Sequence, residues 1–225
     1  MSTPTVIPER LERLMSDQFH LRCGLGKGVN GEADVCAMQA VSWIAGEAKI
    51  TDAPDCACPV IRRYVIRLND SDLLANHRDE LKPYLPRIVG TRSTVGVTRR
   101  RCFVAVDYAV RVFSPIRLRA LKRPEWAAKL EGLPLIDSRS SAVIGRDAAR
   151  KILAAADAAS YAASAAAAAA DAVSAADAVS ASYAASYAAA ASYAAADAYA
   201  AADADAYAAL RTKAMECLDR MIGVV

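Results

Sequence analysis

Four carboxylates, Asp34, Glu47, Asp52 and Asp55, are followed closely by three arginines, Arg62, Arg63 and Arg67, in this 225-residue chain. Carboxylates can move protons and guanidinium groups can hold anions. The set could therefore bind a nucleotide or another small anion, or carry out acid/base chemistry. On a helix Arg63 and Arg67 share a face, with Arg62 about 100° away. The plainer account is a group of internal ion pairs at a loop–helix junction, and the sequence favours it. His20 and His77 lack the serine or cysteine context of a nucleophilic triad, so no catalytic residue is assigned.

Other chemistry-bearing residues give weaker patterns. Cys56 and Cys58 are too close for a C-x-x-C knuckle, and Cys23, Cys36, His20 and His77 add no paired spacing typical of structural zinc. Core thiols are expected, with no metal and no cofactor. The glycines of GLGKGVNGE, Gly24 to Glu32, resemble a phosphate loop in texture only. Lys27 is not followed by Ser or Thr, and a turn-rich connector is the expectation. Arg99, Arg100 and Arg101, with Arg111, Arg117, Arg119, Lys122 and Arg123, form the most basic region. Nucleic acid could use it, but a solvated face is favoured because aromatics are sparse.

The elements that must position these residues read as helices. Apolar spacing predicts helices over Pro8–Asp17 and Glu32–Ala45, the second ending at Gly46. Pro59 opens another, with Val60, Ile61, Tyr64, Val65 and Leu68 on its buried side. Ser71 is the expected N-cap of a helix over Asp72–Lys82 that Pro83 ends, and residues 83–95 read as a loop. Thr98–Phe113 is helical, and Pro115, Pro124 and Pro134 punctuate shorter pieces. A final helix starts at Asp137 or Ser138.

That final helix enters an unusual composition. Positions 154–209 hold 35 Ala, seven Ser, six Asp, six Tyr and two Val. Alanine is the best intrinsic helix former. No Gly or Pro interrupts 146–222, so one unbroken helix would be on the order of 115 Å long. A hairpin turning near Ser180–Ser182 or Asp203–Asp205 is the compact alternative. A six-residue repeat turns through 240° net per unit, which spreads Tyr and Asp over three faces. The pattern is neither an amphipathic stripe nor a heptad seam. It suits a helix enclosed by neighbours, with Tyr161, Tyr183, Tyr187, Tyr193, Tyr199 and Tyr207 as candidate self-association residues.

Charge is divided in the same way. Residues 1–151 carry 25 Lys and Arg against 17 Asp and Glu, whereas the Ala-rich segment carries six Asp and no cation. Contact between a basic head and an acidic rod is the simplest consequence. Ala178–Ala196 is an uncharged run, but Ala, Ser and Tyr give little drive into hydrocarbon, so no membrane span is expected. The N-terminus lacks the apolar run of a secretory signal, which points to a reducing, cytoplasmic setting without structural disulfides.

The strings DVCAMQAVSWIAGEAKITDAPDCACPVIRRYVIRLND, LKPYLPRIVGT and RRRCFVAVDYAVRVFSPIRLRAL carry a resemblance over roughly residues 20–145. They are similar to a set of uncharacterised helical proteins of tailed bacteriophages and actinobacteria, many with an Ala-rich C-terminal extension. The Ala-rich texture also resembles, in composition alone, immunity proteins of the Imm-five-like type. The first resemblance implies a phage or bacterial cytoplasmic setting and assigns no activity.

The resulting expectation is an all-α chain: a compact basic multi-helix head at 1–136 and an Ala-rich helical rod, or hairpin, at 137–225. Its expected role is non-enzymatic accessory work through protein–protein contact, as a homo-oligomer and with a host protein as a further partner. The alternative is a nucleotide- or anion-binding or enzymatic anti-defence protein using the acid/arginine group. A lesser one is an ice-binding helix, which the absence of Thr from the Ala-rich segment disfavours.

Overall fold

The computed structural model describes residues 5–26, 35–155 and 204–225, and these are all-α with one isolated bridge, Leu21 to Val35. Helix α1 is Pro8–Met15, α2 is Ala37–Ile44, α3 is Pro59–Asn69 and α4 is Leu85–Ile88. After them come α5 (Val95–Tyr108), α6 (Ser114–Ala120), α7 (Pro124–Glu131), α8 (Arg139–Ala155) and α9 (Ala204–Ile222). Every residue of α2 is buried. A helix buried on all sides belongs at the centre, and α1, α3 and α4 pack around it. Its two buried polar residues are satisfied. Gln39 Oε1 accepts from the N–H groups of Gly26 and Cys36, at 2.9 and 3.0 Å, and Ser42 is tied into the following loop.

The end of α2 shows why a glycine follows it. Gly46 has φ +71°, and its N–H bonds the Trp43 carbonyl at 3.1 Å. A Cβ there would lie 2.9 Å from Ile7 Cδ1, although that methyl can move. The backbone angle is the firmer obstacle. Gly46→Ala is expected to cost about 1 kcal/mol. A lowered urea midpoint with an unchanged denaturant slope would establish it.

Two expected elements differ. The helix over Asp72–Lys82 is replaced by two 3₁₀ turns, Asp72–Leu74 and Arg78–Tyr84, with Pro83 inside the second. Ser71 does not cap; its hydroxyl turns back to the Leu68 carbonyl at 2.6 Å. The loop predicted for 83–95 contains α4, and α5 starts at Val95, where Thr94 Oγ1 accepts from the Val97 N–H. Pro115 does not break the chain either. It has no N–H for the Arg111 carbonyl, and the backbone accommodates it through a π turn over Ala109–Phe113 between α5 and α6. Ser114 supports that turn from both its N–H and its hydroxyl, each bonding the Ala109 carbonyl.

Both described ends of the expected rod pack on the same core as the head. Ala142, Ala149 and Ile152 of α8 are buried in it, as are Leu210, Ala214, Cys217, Leu218 and Met221 of α9. Helix α9 lies against α3 and α5, and Tyr64 donates from its hydroxyl to the Ala214 carbonyl at 3.0 Å. The choice between a straight rod and a hairpin falls outside the described residues. No helix among those described is long and apolar enough to cross a membrane.

Candidate functional site

Of the acid/arginine group, Glu47 reads in three dimensions as a brace. Asp34 lies outside the described residues. Glu47 Oε1 accepts from the Cys56 N–H at 3.0 Å, and its Oε2 lies 2.9 Å from the Ser42 hydroxyl. It thereby joins both ends of the connector between α2 and α3. Among the described residues Asp52 meets the neighbouring Thr51 hydroxyl, at 3.5 Å. Asp55 is 98% exposed and pairs with Arg92 at 3.2 Å. Arg62 and Arg63 are half-buried on α3 and Arg67 is exposed. Among the described residues no ion pair joins Arg62 to Glu47, Asp52 or Asp55.

The other expected residues are also placed. Tyr161, Tyr183, Tyr187, Tyr193 and Tyr199 lie outside the described residues, while Tyr207 is half-buried against the core. The six cysteines are free thiols, and five are buried. The Cys56 thiol is pushed up to about 11 by burial and by the Glu47 carboxylate, which suits a packing residue better than a nucleophile. Among the described residues no three His, Cys, Asp or Glu side chains form a group able to hold a metal. The histidines each meet a carboxylate: His20 Nδ1 is 2.7 Å from Asp79, and His77 Nδ1 is 3.0 Å from Glu80.

A cavity of about 210 Å³ lies elsewhere, between α5, the connector into α8 and the end of α9. Arg100, Asp107, Asp137 and Arg220 line it together with apolar side chains that include Phe103 and Ile136. Asp107 is the most unusual member, a carboxylate only 7% exposed. Its Oδ1 accepts from Arg111 Nη1 and from the Ile136 N–H, each at 3.0 Å. Among the described residues no hydrogen bond reaches Oδ2. Across the cavity, the Arg220 guanidinium lies over the Tyr108 ring at 5.7 Å. Tyr108 donates to Glu216 at 2.7 Å, and burial and that carboxylate push its hydroxyl well up. Hydrogen bonding to Tyr108 in turn holds Arg220 in its charged form.

Comparison with protein-family models, with curated proteins and with solved structures finds no match to this chain. Function therefore rests on the chemistry of these side chains.

Two anchoring cations escaped the sequence reading. Arg101, in the basic run expected to be solvated, is 4% exposed. It donates to the carbonyls of Thr91, Met221 and Val224. Its spacing carried the signal, because Val97 and Ala105, four residues either side, are buried core residues. Lys82 is buried too and donates to the carbonyls of Ser16 and Phe19. Its neighbours Leu81 and Pro83 offered no comparable signal.

Proposed function

We propose that this chain is a non-enzymatic accessory protein of a phage or bacterial cytoplasm that acts by self-association and protein contact through its Ala-rich segment. The observation that carries the reading is the anchoring at both ends. Helices α8 and α9 bury apolar residues in one core, and both contact α5. The described helices on either side of residues 156–203 thus pack on the same head. The composition of that segment supports contact with other helices, since small side chains allow close backbone approach and Tyr adds area and a hydroxyl. The engagement of Glu47 in bracing its own loop weighs against anion or acid/base chemistry at that group.

Light scattering after size exclusion tests this directly. The full chain is expected at a multiple of its 23.8 kDa mass. Joint replacement Tyr187→Asp and Tyr193→Asp should return it to monomer without loss of the head's cooperative unfolding. A wild-type mass of one chain at every concentration would overturn the reading.

A further inference from the structure

The cavity beside α5 brings together features that the self-association reading does not use. Asp107 lines it with a carboxylate whose Oδ1 is held by Arg111 and the Ile136 N–H, while its Oδ2 takes no donor among the described residues and is left for a ligand. Asp137 lines the same space, so two carboxylates face a ligand from one cavity. Arg100 and Arg220 line it as well, and guanidinium groups pair with carboxylates. Between the charges the wall is apolar, Phe103 and Ile136 included. A ligand matching all three features carries a cation, an anion and an apolar body. The volume of about 210 Å³ is below the ~300–1,000 Å³ typical of drug-sized ligands, so the match is a small molecule.

We infer that this cavity binds a free apolar α-amino acid of about leucine's size. The ammonium group donates to Asp107 Oδ2 with Asp137 nearby, the carboxylate meets Arg220 and Arg100, and the side chain rests against Phe103 and Ile136. Both charged ends contribute, because an ammonium alone would face two arginines and a carboxylate alone two aspartates. Arg220 suits the role because its stacking on Tyr108 restrains it. Arg100 is exposed, as is Arg220, and also donates to the Val225 carbonyl at 2.6 Å, which places it at the rim. The inference is independent of oligomeric state, so a chain that proves monomeric can still bind.

Calorimetric titration of the full chain with L-leucine is the test, with N-acetyl-L-leucine, L-leucinamide and glycine as comparisons. Saturable binding of leucine is expected. Each comparison removes one feature (the ammonium, the carboxylate or the apolar body) and should bind at least about tenfold more weakly. Asp107→Asn keeps an acceptor for Arg111 and the Ile136 N–H and should weaken leucine to a similar extent. Because Asp107 is buried, Arg220→Gln and the exposed Asp137→Asn provide second variants, with urea unfolding confirming that each is folded. Absence of a leucine signal overturns the inference. So does equal binding of leucinamide or N-acetyl-leucine, or unchanged leucine affinity in all three folded variants.

Discussion

Arg101→Met is expected to destabilise the fold by about 3–4 kcal/mol and to loosen the end of α9 before the rest of the core. The guanidinium sits between three chain segments. Nε donates to the Met221 carbonyl at 3.1 Å, Nη2 to that of Val224 at 2.8 Å, and Nη1 to that of Thr91. Met221 lies in the last turn of α9 and Val224 two residues beyond the helix, where carbonyls lack intrahelical partners and a cation complements the helix dipole. Thr91 belongs to the turn after α4, and its hydroxyl accepts from the Cys58 N–H at the start of α3. Methionine fills much of the space but donates nothing, so the carbonyls lose charge-assisted bonds worth roughly 1.5–3 kcal/mol each, with incomplete additivity. Arg101→Lys retains the charge without the fork and should recover part of the loss. Urea unfolding measures the total, and faster amide exchange over 218–224 would locate it. Unchanged exchange there would contradict the clamp.

How much of this fold was legible follows from where local signals agreed with tertiary contacts. The apolar run of α2, Gly46 after it and Pro59 at the start of α3 all act within one or two turns, so α2 ends and α3 begins as expected. Helix α2 starts at Ala37 and not at Glu32, because Val35 bridges to Leu21 and Cys36 is the extended N-cap. Residues 72–84 failed because distant groups decide them. Asp79 reaches the Leu21 N–H, 58 residues away in sequence, and Lys82 reaches Ser16 and Phe19. A regular helix cap at Ser71 has no weight against that set of contacts. Pro115 is a third kind of case. Proline's missing donor was visible, but only packing on both sides decides between a break and a π turn, and Phe113, Ser114 and Pro115 are all buried.

The candidate site divides along the same line. Charge clustering drew attention to residues 34–67, where Glu47 is a loop brace and Asp55 is nearly fully exposed. The cavity draws its residues from α5, the connector at 135–137 and the end of α9, whose separations in sequence exceed any motif spacing. Asp107 follows a basic run and precedes Tyr108, so it reads locally as one charge among many. Its burial arises only when the Ile136 N–H folds back onto it.

Lys82→Met is expected to cost about 2–3 kcal/mol at neutral pH, and the gap from wild type should narrow in acid. Lys82 Nζ lies 3.2 Å from the Ser16 carbonyl, donates also to that of Phe19, and is 3.3 Å from Asp79 Oδ2. It therefore pins the segment after α1 to the second 3₁₀ turn, beneath the stacked rings of Phe19 and Trp43. Burial raises the pKa of Asp79, but the Leu21 N–H, His20 and Lys82 outweigh it and hold the carboxyl below its usual range. A depressed carboxylate contributes stability above its unfolded pKa, about 3.9, and loses that contribution as pH falls through the folded value. The variant lacks the Lys82 share of this term, so its stability should decline less steeply below about pH 4. What persists in acid is the loss of the two carbonyl contacts, which do not titrate. Urea midpoints for both proteins at neutral pH and near pH 3 separate the two contributions. A gap of constant size would assign the whole effect to the Ser16 and Phe19 carbonyls and none to Asp79.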